Sequence, residues 1–160
     1  MKTTIIFDES KPLKQAAQAI AEGARKAGAE ATLTDSSKEK PLAADLYFAG
    51  IEKNERAAQQ VQALLFSGAS TAAIFCLEGV DARKTAEFFS SQGIRVIDWI
   101  TFHPKRSSLF GEKKISDEEI VRAQAFGERV TNKFQQKRVT QPSEKHKISG
   151  YFKPRQQAFY

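Results

Sequence analysis

The chain has 160 residues, 41% hydrophobic and 28% charged, which suits one domain with a real core. No apolar run approaches the roughly 20 residues of a membrane span, the N-terminus has no secretory h-region, and a single cysteine, Cys76, excludes an internal disulfide framework, so a cytoplasmic protein is expected. The net charge of +6 is uneven: residues 133–160 hold 7 Lys/Arg and 1 Asp/Glu, while residues 1–132 hold 18 of each sign. The basic character belongs to the C-terminal segment, which suits nucleic acid, an acidic partner or a solvated extension.

Thr3-Thr4-Ile5-Ile6-Phe7 is a β-branched, apolar run and predicts a buried strand. Leu13, Ala16, Ala17, Ile20 and Ala24 then recur at helical spacing, and Gly28 marks the stop. Between them lies Asp8-Glu9-Ser10-Lys11-Pro12, where many α/β proteins hold a phosphate on outward-pointing N–H groups. This turn has two carboxylates, no glycine, and a proline that removes a donor. A second strand is expected at 30–35 and a fully apolar third at 45–51. A helix over 54–68 follows, then a buried strand at 71–79. A short helix over 81–93 has Asp81 as its N-cap, and a fifth strand occupies 95–102. Residues 103–115 read as a long loop, with the charged run GEKK (111–114) solvated. The last helix spans 116–134, with Ser116 and Glu119 in a capping-box pattern.

Apolar strands alternating with amphipathic helices predict a parallel sheet covered on both faces. Right-handed crossovers make it a three-layer, doubly wound α/β sandwich, and five strands favour the order 2-1-3-4-5. The cleft of such a sheet lies at the carboxyl ends of strands 1, 3 and 4. It would gather Asp8, Glu9, Ser10 and Lys11, then Glu52 and Asn54, then Glu78 and Gly79. Residues 135–160 lack periodicity, carry two prolines, and read as a basic aromatic tail outside a domain of residues 1–134.

Three stretches resemble the flavodoxin family. AAQAIAEGARKAGAEATL is similar to that family's first helix and second strand, AADLYFAG to its third strand, and ISDEEIVRAQAFGERV to its last helix. The resemblance covers about residues 3–134 and implies a flavodoxin-like fold. It also implies an FMN site, with the phosphate held by a Ser/Thr-x-Thr-Gly-x-Thr turn after the first strand. That turn falls on Asp8 to Leu13, where Ser10 alone keeps a hydroxyl and Lys11 replaces the glycine. The family's flavin-stacking aromatics after the third and fourth strands have no counterpart in EKNER and EGVDA. The expected function is therefore a flavodoxin-fold protein that has lost FMN, holds no cofactor, and acts as a protein-interaction or regulatory module. The alternative is a divergent FMN-binding electron-transfer or oxidoreductase protein, with Ser10 and Lys11 as cofactor-binding residues. A phosphorylation-inert receiver-like domain is a second alternative on topology, since Ala49-Gly50-Ile51 offers no phosphate-accepting aspartate.

The cleft residues Asp8, Glu9, Glu52, Asn54, Glu78 and Gly79 carry no nucleophile–base pair, so no catalytic residue is assigned. Clustered carboxylates can hold Mg²⁺ or a cationic group, or they can solvate loop ends; no metal is expected here. Cys76 reads as a buried core thiol, and His103 stands alone. Gly50 and Gly79 read as turn formers at strand ends. In the tail, Tyr151, Phe152, Lys153, Arg155, Phe159 and Tyr160 interleave cations with aromatics. Without a nucleic-acid motif this pattern points to a protein partner or a second copy of the chain, rather than to nucleic acid or a membrane.

Overall fold

The computed structural model describes residues 1–8, 10–106, 109 and 111–151, and within 139–151 the backbone alone. In chain order the elements are β1 (Lys2–Phe7), α1 (Lys11–Lys26), β2 (Glu30–Asp35), β3 (Leu46–Ile51), a 3-10 turn (Asn54–Arg56), α2 (Ala57–Phe66), β4 (Thr71–Leu77), α3 (Ala82–Ser91), β5 (Arg95–Phe102), β6 (Lys105–Arg106), β7 (Lys113–Lys114) and α4 (Asp117–Tyr151). The five long strands pair in parallel in the order β2-β1-β3-β4-β5, as the sequence predicts.

The period of two along each strand divides the core between the sheet's faces. Ile5, Phe48 and Phe75 point to the side of α1 and α4, where they meet Ile20, Phe126 and Val130. Ile6, Tyr47, Ile74 and Cys76 point the other way, to Val61, Leu64 and Phe89 of α2 and α3. Every residue of β3 is buried, so the central strand carries no polar face to solvent. Each such large side chain contributes about 1.5–3 kcal/mol through its removal from water.

α1 and α4 approach more closely than the periodicity alone implies. A Cβ on Gly23 would collide with the Gln124 carbonyl, and a Cβ on Gly127 with the Ile20 carbonyl. The two glycines therefore let the helix backbones touch. Their intrinsic cost, about 1 kcal/mol each in a helix interior, is offset by this contact.

Four expectations change. The helix predicted from residue 54 begins as a 3-10 turn and becomes α-helical at Ala57. The GEKK run is not plain loop, since Lys113–Lys114 pair antiparallel with Lys105–Arg106. The last helix runs past Phe134, through Pro142, to Tyr151, so the expected boundary at 134/135 falls inside α4. Gly50 forms no turn: it lies within β3, where an added Cβ would meet the Phe75 ring at 2.7 Å. Gly79 does form one, at φ 95°.

The sheet edge at β5 is partly closed by α4. Lys133 Nζ donates to the Ile97 carbonyl at 3.3 Å. The Asp98 carboxylate accepts the Trp99 N–H at 2.8 Å and pairs with Arg129 at 3.3 Å. These contacts occupy main-chain groups that would otherwise template another strand.

Candidate functional site: the cleft at the strand ends

The topology brings the loops after β1, β3 and β4 to one edge of the sheet. Ser10 caps α1, its hydroxyl accepting the Leu13 N–H at 3.4 Å, and Pro12 adds no donor to that first turn. Asp8 is buried, with its carboxylate 3.3 Å from Arg56 Nε. Arg56 comes from the 3-10 turn after β3, so this ion pair ties the first and third strand ends together. Lys11 pairs with Glu112, which stands just before β7. The Lys11 ammonium holds the Glu112 carboxyl below the usual carboxylate range.

The loops after β3 and β4 are joined by Asn54. Its amide donates to the Gly79 carbonyl at 3.4 Å and accepts the Asp81 N–H at 3.3 Å. Asp81 caps α3 as expected, accepting the Lys84 N–H at 3.0 Å. Glu78 faces His103, Oε2 to Nδ1, at 3.3 Å. The His103 N–H donates to the Glu119 carboxylate at 3.0 Å, so Glu119 holds the chain after β5 while its own N–H bonds Ser116 Oγ.

The described carboxylates of this edge are engaged separately. Asp8 and Glu78 take separate cationic or imidazole partners, Glu52 is half-buried, and among the described residues no three potential ligands form a metal cluster. Glu9 lies outside the described residues, as do Phe152, Lys153, Arg155, Phe159 and Tyr160, while Tyr151 is described by backbone alone. Sequence reasoning missed Arg56, Glu112 and His103 as partners of this edge. Cys76 is fully buried, and burial pushes its thiol up to about 12, as fits a core thiol.

No family model matches this chain, and no curated protein does either. Solved structures do. A flavodoxin from the domain Archaea superposes with a TM-score of 0.64 at 18% identity, covering 84% of this chain and 99% of that one. The chain has a flavodoxin-like fold. A flavodoxin-like domain from Synechococcus matches at TM-score 0.60 and 12% identity, over 90% of this chain and 99% of that one. Megasphaera elsdenii flavodoxin matches at 0.57 and 12%, over 82% and 98%. At such identities the likeness concerns the fold, and the fold hosts many functions.

Proposed function

We infer that this flavodoxin-like domain no longer uses its strand-end cleft for FMN and acts as a protein-interaction or regulatory module. One observation supports the reading: the described polar side chains of the β1–α1 turn are engaged within the chain. Ser10 caps its own helix, Lys11 is neutralised by Glu112, and Asp8 is a buried anion where a phosphate would lie. A phosphate dianion about 4 Å from the Asp8 carboxylate meets a repulsion of about 2 kcal/mol in water and about 8 kcal/mol at an effective dielectric of 20. The residues present fit the FMN phosphate poorly. Asn54 further supports the reading, because it bonds across the loops that hold the flavin ring in the family the sequence resembles.

The partner fitting this reading is another protein or a second copy of the chain. The second reading, FMN held by Ser10 and Lys11, is favoured by Arg56, a cation already at this edge. Titration of flavin-free protein with FMN, followed by quenching of flavin fluorescence, separates the two. No saturation at high micromolar FMN is the expected result, and saturable binding at low micromolar FMN would replace the module reading with a redox one.

A further inference from the structure

β5 is an outermost strand of the sheet, and between its free edge and α4 lies an open cavity of about 460 Å³. It is bordered by Trp99, Ile100 and Thr101 of β5, by His103, and by Arg122 and Arg129 of α4. A cavity of this volume has the size that holds a small molecule.

Successive residues of a strand turn their main-chain groups to opposite edges. The Phe102 C=O accepts the Glu78 N–H at 2.9 Å, on the β4 side, so Thr101 and His103 face outward. Most of this outer edge is occupied from within the chain. Lys133 takes the Ile97 C=O, the Asp98 carboxylate takes the Trp99 N–H, and Glu119 takes the His103 N–H. Between Trp99 and His103, the Thr101 N–H is the one main-chain donor left open among the described residues, and Thr101 borders the cavity. An added β-strand needs several open donors and acceptors in alternation, and this edge does not offer them. A small molecule needs only the one.

The charge around the cavity is one-sided. No Asp or Glu borders it. Arg129 is engaged by Asp98 at 3.3 Å. Arg122 has no ion-pair partner among the described residues, and its guanidinium lies over the Phe102 ring, 5.8 Å from the centroid. A guanidinium resting on an aromatic ring keeps its fork of N–H donors for an anion. The rest of the border is apolar or aromatic: Ile100, Ala125 and Trp99, which is 45% exposed.

We propose that this cavity binds a small aromatic carboxylate, its oxygens taken by the Arg122 guanidinium and the Thr101 N–H, and its ring lying against Trp99, Ile100 and Ala125. A planar fork and one further N–H suit the two oxygens of a flat carboxylate. A phosphate dianion would meet a single uncommitted guanidinium and no cluster of main-chain donors. The cavity stands apart from the loops after β1 and β3, and the inference does not rest on the FMN reading.

The test is titration of the full chain with benzoate, followed by heteronuclear NMR. The chain has one tryptophan, so its indole N–H gives a single resonance. Saturable shifts of that resonance and of the Thr101 amide are expected. Neutral benzamide, of the same shape, and inorganic phosphate should each bind at least about tenfold more weakly. Arg122→Gln should weaken benzoate binding at least about tenfold. Lys137→Gln removes the same charge elsewhere on α4 and should leave binding unchanged. Both are surface changes, and unaltered thermal unfolding verifies that each variant is folded. Absence of saturable shifts with benzoate overturns the proposal. So does benzamide or phosphate matching benzoate, or an equal loss from Lys137→Gln. Shifts of the same resonances on concentrating the protein alone would give the edge to a second copy of the chain, and would overturn it as well.

Discussion

α1 and α4 meet backbone to backbone, whereas an open groove lined by Asn54, Asp81, Lys84 and Phe88 separates the first turns of α2 and α3. The first layer is joined by helix–helix contact across Gly23 and Gly127. In the second, the α2 residues Val61 and Leu64 and the α3 residue Phe89 bury themselves against the sheet. The same sheet thus tolerates added volume very differently on its two faces. This follows from where glycine stands in a helix, more than from how apolar each helix is.

Gly127→Ala is the sharpest probe of that contrast. One methyl gains about 1 kcal/mol of helix propensity and loses about 3 kcal/mol to overpacking against the Ile20 carbonyl, a net loss of about 2 kcal/mol in denaturant unfolding. Ala58→Leu, at the groove of the other layer, should stay within about 0.5 kcal/mol. Equal losses for the two would dissolve the distinction between the layers.

Asp8→Asn tests how the looser layer is anchored. It removes the charge that holds Arg56, the residue leading into α2, and should cost about 1–2 kcal/mol. Amide exchange should quicken in α2 while α4 keeps its protection. Faster exchange in α4 instead would mean that Asp8 supports the whole fold and not one layer.

The smallest effect is expected at the far end of the α4 contact. The Lys2 N–H donates to Asp45 Oδ2 at 2.9 Å, and Arg138 Nη1 lies 3.2 Å from Oδ1. The Lys2 N–H, aided by the Arg138 charge, holds the Asp45 carboxyl below its ordinary 3.8, against the opposing pull of partial burial. A depressed carboxylate stabilises the fold above its unfolded pKa and loses that contribution as pH falls through the folded value. Asp45→Asn should therefore cost roughly 0.5 kcal/mol near neutral pH, given its exposure to solvent. The variant and the parent should converge as pH drops below 3.8. A difference that persisted in acid would assign the loss to something other than charge.

Much of this molecule is legible in its sequence because its signals are local. The β-branched run of β1, the apolar run of β4, the Asp81 cap, and the apolar stripe Ile120, Ala123, Phe126, Val130 each declare themselves within a few residues. The β6–β7 pair does not, since strands of two residues show no alternation. Nor does the far part of α4, where Pro142 and Gly150 read as helix breakers. Gly127 left one faint signal, a glycine inside a strongly helical pattern, which often marks close packing. At the cleft, Ser10, Lys11 and Asp8 could be placed by strand order. Their partners could not, because Arg56 and Glu112 arrive from distant turns that only the folded sheet brings near.

α4 is also a lever. From Arg138, held by Asp45, to Tyr151 the helix has 13 residues, or about 20 Å. A tilt of about 10° at that point would sweep the far end through roughly 3 Å. A pull on the C-terminal end is met first by the Arg138–Asp45 and Lys133–Ile97 contacts, and so by the start of β3 and by β5, before it reaches the glycine contact with α1.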